Sequence, residues 1–93
     1  MFLLLTIFFH YLSFGNSETY VLARSNLNQF CKCDINTATS LSLSDMKIAM
    51  VDVDTFQGLT NITSISLSFN DITKYKASTF RGLINLERLY LHV

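Results

Sequence analysis

Ile62-Thr-Ser-Ile65-Ser-Leu67-Ser-Phe-Asn70-Asp-Ile72-Thr-Lys-Tyr75, closing on Phe80 and Leu83, is the stretch against which the rest of the chain is registered. Ile65 and Leu67 alternate with serines, the period of a short strand that buries one face and wets the other. The spacing then recurs. Sliding the sequence by 24 positions lays Ala38 on Ile62 and Leu86, Leu41 on Ile65 and Leu89, and Leu43 on Leu67 and Leu91, with no gap. Beyond the strands the same shift pairs Ile48 with Ile72, Val51 with Tyr75, Thr55-Phe56 with Thr79-Phe80, and Gly58-Leu59 with Gly82-Leu83. A fixed period shared by this many positions marks an internal repeat, whose units bury their apolar faces only by stacking on one another. The competing reading, one ordinary strand and helix of an unrelated α/β domain, does not account for a register held over so many positions.

The order L-x-x-L-x-L, then Asn and another apolar residue, resembles the leucine-rich repeat. With its 24-residue step and closing F-x-x-L, the chain resembles the class found in extracellular and cell-surface members of that family. The resemblance covers residues 38–93, divided as 38–61, 62–85 and a partial 86–93. It implies an α/β leucine-rich repeat solenoid, with short parallel strands on the concave side and irregular or short helical returns on the convex side. The implied repeat core is Leu41, Leu43, Phe56, Leu59, Ile65, Leu67, Ile72, Phe80, Leu83, Leu89 and Leu91. Asn70 falls where the family uses a side-chain amide to bond the backbone between successive turns. The first repeat has Met46 at that place, so its backbone groups are expected to find Ser44 or Asp45 instead. Gly58 and Gly82 each precede a leucine at the end of a coil, where the lack of a Cβ eases the bend.

Upstream, Met1 to Phe14 is the most apolar window. It is too short to cross a hydrocarbon core, which takes about 20 helical residues. Residues 1–17 fit a secretory signal peptide, with small residues offering cuts after Gly15, Ser17 or Ala23. An uncleaved anchor and a buried helix of a cytosolic protein are the rival readings, and no positive charge follows Met1. Residues 18–37 are expected to be a polar leader running into an N-terminal cap that holds Cys31 and Cys33. Secreted leucine-rich repeat proteins open with such a C-x-C, in a cap that covers the end of the first coil. Their caps usually hold four cysteines, and this chain has two, with Ser40 about where a further one belongs. A tight ring over three residues sits poorly with the usual Cα separation of about 5.5 Å, so the cap is expected to be degenerate or each thiol to pair elsewhere. Metal ligation and a redox-active pair are the minor alternatives. Two sulfurs with His10 in the leader and His92 at the far end lack zinc spacing.

Seven basic residues face seven acidic ones, for a net charge of zero, which argues against a nucleic acid as partner. The sequence holds no G-x-S-x-G, P-loop or G-x-G-x-x-G, and so no enzyme and no cofactor is expected. Asp52 and Asp54 alternate beside Val51 and Val53 as the wet side of a short extended segment.

Function therefore rests on the resemblance, which implies protein recognition by residues between the leucines on the concave face. Here those are Thr39, Ser40, Ser42 and Ser44, then Thr63, Ser64, Ser66 and Ser68, then Glu87, Arg88, Tyr90 and His92. Two rows are nearly all hydroxyl. Aromatic and Arg side chains carry most binding energy, which puts any hot spot at Arg88 and Tyr90, beside His92. Asn61-Ile62-Thr63 is an N-glycosylation sequon, meaningful on a secreted or cell-surface chain. The third repeat stops at Val93, one place before its Asn is due, which predicts a piece of a longer array, a truncated splice form or an incomplete gene product. The partners expected are a protein ligand, further repeats of the same array, or a second copy meeting the open C-terminal end through Leu86, Leu89 and Leu91. A non-binding structural role in a longer array is the alternative.

Overall fold

The computed structural model describes residues 18–93; the expected signal segment, residues 1–17, lies outside the described residues. Strands β2 (Ser40–Ser42), β4 (Ser64–Ser66) and β5 (Arg88–Tyr90) form one parallel sheet in the order β2-β4-β5. Their registers, Ser40↔Ser64↔Arg88 and Leu41↔Ile65↔Leu89, advance by the 24-residue step of the sequence repeat. The ladder runs past the strand ends: Thr63 N–H donates to Thr39 C=O at 2.8 Å, Leu43 N–H to Ser66 C=O at 2.9 Å, and Leu67 N–H to Tyr90 C=O at 2.9 Å.

Because successive strand side chains point to opposite faces, Leu41, Leu43, Ile65 and Leu67 all turn inward, and all are fully buried. Each contributes about 1.5–3 kcal/mol relative to exposure. Phe56, Leu59 and Ile62 complete that core with Leu83, while Ile72, Phe80, Leu86, Leu89 and Leu91 pack against it half-buried. The rings of Phe56 and Phe80, one coil apart, stack at 6.0 Å with 6° between their planes. Thr55, beside Phe56, is fully buried; its hydroxyl donates to Asp52 C=O at 2.7 Å and lies 3.2 Å from Leu22 C=O.

The returns differ between coils. In the first, left-handed residues at Asp45 and Lys47 turn the chain into β3 (Ile48–Val51). In the second, residues 72–75 form no strand, and a 3₁₀ turn at Ala77–Phe80 follows. Thr79 fastens that turn by accepting Lys76 N–H at 3.0 Å. Gly82 is left-handed at φ 95°, and a Cβ there would stand 3.0 Å from Gln57 Cα in the coil before. Gly58, at φ 79°, has open space around it.

Residues 18–37, expected to be a polar leader and cap, hold two regular elements. Tyr20–Leu22 is a strand, β1, paired in parallel with β3 through Tyr20↔Ile48, Val21↔Met50 and Leu22↔Val51, with an irregularity after Tyr20. A five-residue helix, α1 (Leu27–Cys31), then crosses the end of the core. Leu22 and Leu27 are fully buried, Ile35 nearly so, and Phe30 meets Tyr20 edge-on at 5.8 Å. The cap thus adds a strand beside the return of the first repeat.

Neither cysteine of the cap pairs elsewhere. Cys31 and Cys33 are bonded to each other, with their Cα atoms 5.2 Å apart. The reason is local: Lys32 is left-handed at φ 51° and swings the chain past the end of α1, so the two side chains meet instead of pointing apart.

The turn at Met46 differs from the expected one. Neither Ser44 nor Asp45 satisfies the turn of the first coil. Asn70 does: its Oδ1 accepts Met46 N–H at 2.9 Å and Ile48 N–H at 3.0 Å. Its Nδ2 donates to Leu43 C=O at 2.8 Å and Leu67 C=O at 2.9 Å. The amide therefore reaches backwards, from the second coil to the first. Met46, with only the cap behind it, packs half-buried against the core instead.

Candidate functional site

The outward residues of β2, β4 and β5 form three rows. Ser40 and Ser42 are exposed, Ser64 and Ser66 half-buried, and Arg88 and Tyr90 exposed. The register sets Ser64 beside Arg88 and Ser66 beside Tyr90. Ser44 and Ser66 share a hydrogen bond between their hydroxyls, which fixes part of this hydroxyl floor. Thr39 and Thr63 begin the rows, where the Thr63 hydroxyl donates to Thr39 C=O at 3.2 Å. Glu87 and Arg88 approach at 3.8 Å, both well exposed, a contact that contributes little in water.

Ser68 departs from the expected solvent-facing row. It is only 4% exposed, because His92 folds over it from the next coil. His92 N–H donates to Ser68 Oγ at 3.1 Å, and the ring Nδ1 lies 3.3 Å from the same oxygen. His92 is held in turn by Phe69, whose ring lies 6.4 Å away at 20°, and whose N–H donates to His92 C=O at 2.7 Å.

Phe69 was not among the residues that sequence pointed to. It is left-handed at φ 61° and 62% exposed, an uncommon position for a bulky side chain. A signal existed: the 24-residue shift lays Phe69 on Asp45, outside the L-x-x-L-x-L frame, so an aromatic ring at that place has no core to enter. Asp45 is left-handed too, at φ 56°. The turn geometry belongs to the repeat, and only the side chain is particular. Phe69, Tyr90 and His92, with Arg88, make an aromatic and cationic margin beside the two serine rows.

Asn61 sits at the entry to this sheet, exposed, with its Nδ2 3.4 Å from Asn36 C=O in the cap. On the opposite side, Ala49, Met50, Val53, Lys74 and Lys76 line a shallow groove of about 460 Å³. Tyr75 sits on that side and burial pushes its phenol up from the ordinary value. Among the described residues no group of His, Cys, Asp and Glu could hold a metal, and no helix is long and apolar enough to cross a membrane.

Parallel strands in fixed register, inward leucines, irregular returns and an inter-coil amide define a repeat protein. The leucine rich repeat family profile matches residues 36–92, and the chain belongs to that family. No curated protein and no solved structure matches it. Leucine-rich repeats are in general protein–protein interaction modules without enzymatic activity.

Proposed function

We propose that this chain recognises a protein partner outside the cell through the face of β2, β4 and β5, anchored at Phe69, Arg88, Tyr90 and His92. The carrying observation is the aromatic and cationic margin itself: a large ring held left-handed and wet, beside a Tyr, a His and an Arg, on an otherwise hydroxyl-bearing sheet. Such side chains dominate binding energy, and the hydroxyl rows suit a hydrated rim. Three features support the extracellular setting: the apolar residues at 1–17, the Asn61 sequon on an exposed asparagine, and the Cys31–Cys33 disulfide, since such bonds persist in oxidising compartments. A signal cut after Gly15 or Ser17 preserves β1, whereas one after Ala23 removes the buried Leu22 and the β1–β3 pairing.

The test is selection of the secreted chain against an array of purified ectodomains and secreted proteins, repeated with Phe69→Ala, Arg88→Ala and Tyr90→Ala. Loss of capture with unchanged melting temperature supports the reading. Capture that survives all three substitutions refutes it. A second reading is favoured by the half-buried state of Leu89 and Leu91, where their counterparts Leu41, Leu43, Ile65 and Leu67 are fully buried. Further repeats or a second copy would cover them, and the chain would act as part of an array. Concentration-dependent mass in analytical ultracentrifugation that is lost on Leu89→Glu points to the second copy.

A further inference from the structure

The one disulfide of the described residues encloses almost nothing. Cys31 and Cys33 are separated by Lys32 alone. Cross-links stabilise mainly by restricting the unfolded chain, and the gain grows with the number of residues enclosed, so this ring lies at the bottom of that scale. It joins no distant parts either, since both sulfurs belong to the end of α1 and the turn after it. The cap is fastened elsewhere: by buried Leu22 and Leu27, by the β1–β3 pairing, and by the Thr55 hydroxyl beside Leu22 C=O. Cys31 and Cys33 pack half-buried against the core, but the bond between them ties no distant segments together.

The bond is also reachable. Both cysteines are only half-buried, and Lys32 between them is exposed. The nearest acid along the chain, Asp34, is turned into its own loop, where its carboxylate accepts Asn36 N–H at 3.0 Å. Exposed disulfides with little structural work are those that exchange.

We propose that Cys31–Cys33 is a thiol–disulfide exchange site that oxidises thiols. A thiolate attacks one of the two sulfurs, the S–S bond breaks, and the other cysteine leaves as thiolate. A second thiolate then attacks the incoming sulfur of that mixed disulfide and releases the remaining cysteine. Two electrons pass to the chain, the protons of the two reactant thiols end on Cys31 and Cys33, and the reactant leaves as a disulfide. The reactive group is a thiolate, carried by a small thiol or by a protein dithiol.

The test uses the full chain, incubated without oxygen in graded glutathione buffers, acid-quenched, alkylated and weighed. A parallel series replaces glutathione with a reduced dithiol peptide. The expected result is a rise from no alkyl groups to two per chain, in buffers that leave the disulfides of folded lysozyme intact, with circular dichroism and melting temperature unchanged. Exchange with both reagents assigns small thiols; exchange with the peptide alone assigns protein dithiols. A double variant, Cys31→Ser with Cys33→Ser, is expected to keep the wild-type melt. Resistance to both reagents overturns the proposal, and so does loss of structure in the reduced chain or the double variant, which makes the bond a staple.

Discussion

Replacing Asn70 by Ala removes a side chain that serves two coils at once. Four good hydrogen bonds disappear: from Met46 and Ile48 N–H to Oδ1, and from Nδ2 to Leu43 and Leu67 C=O. Each intramolecular bond contributes a net ~0.5–1.5 kcal/mol, and a donor or acceptor left buried costs ~1–3 kcal/mol. Asn70 is half-buried, so water can replace part of what is lost. Taking the lower half of the range, the expected loss is about 3 kcal/mol. For a domain of this size each kcal/mol shifts the melting temperature by roughly 4–8 °C, so the shift should exceed about 10 °C. Urea unfolding followed by far-ultraviolet circular dichroism measures it directly. Asn85→Ala is the control, since that amide donates a single bond to Thr60 C=O at an exposed edge. Asn70→Asp adds resolution: it keeps the acceptor for the two N–H groups but turns a carboxylate towards carbonyl oxygens, and should recover stability as the acid protonates. If Asn70→Ala costs no more than Asn85→Ala, the inter-coil amide is not what holds the two coils in register.

Three other outcomes follow from the coil geometry. Gly82→Ala meets both a left-handed backbone and Gln57 Cα at 3.0 Å, whereas Gly58→Ala meets only the backbone. The latter should cost about 1–2 kcal/mol, and Gly82→Ala clearly more; equal losses in chemical denaturation would refute the close packing of the coils. Thr55→Val keeps the shape of a fully buried side chain but removes the hydroxyl that donates to Asp52 C=O. It is expected to destabilise by about 1–2 kcal/mol, with the β1–β3 amides losing hydrogen-exchange protection first. Burial raises the Tyr75 phenol, because a phenolate is poorly solvated there, so the neutral form is favoured in the folded chain. Its contribution is fully present below the unfolded pKa of about 10 and is lost as pH rises through the higher folded value. Stability should therefore fall more steeply in alkali for the wild type than for Tyr75→Phe; identical profiles would remove the effect.

The repeat was legible because backbone pairing and side-chain spacing obey the same step: Leu41, Ile65 and Leu89 are neighbours both in the shifted sequence and across the sheet. The cap was not, because β1 meets β3 with an irregular register and belongs to no period. Val21, Leu22 and Leu27 are too few and too scattered to announce a strand and a helix. The pairing of Cys31 with Cys33 hangs on one dihedral angle at Lys32, a residue that gives no notice of adopting it. On the candidate face, alternation marks which residues leave the core, yet it does not show which of them a neighbouring coil then covers. Ser68 leaves the core like Ser66 and is buried all the same, because His92 lies across it. The backward reach of Asn70 was hidden for the same reason: a sequence names the amide but not the coil it serves.

That backward reach makes the order of the coils a matter of syntax. The coil bearing Met46 can stand behind a cap, because its turn carries no side-chain amide that must reach a preceding turn; the coil bearing Asn70 cannot begin a sentence. Duplicating residues 62–85 behind the first coil gives every new amide a preceding turn to hold, and the array can lengthen there indefinitely. Transposing the two coils leaves the leading Asn facing the cap without the three partners it finds in the coil before, Met46, Ile48 and Leu43, and leaves the second turn unfastened. Growth of such a chain is thus possible by interior copying, and its first coil is the one unit that cannot be exchanged with the others.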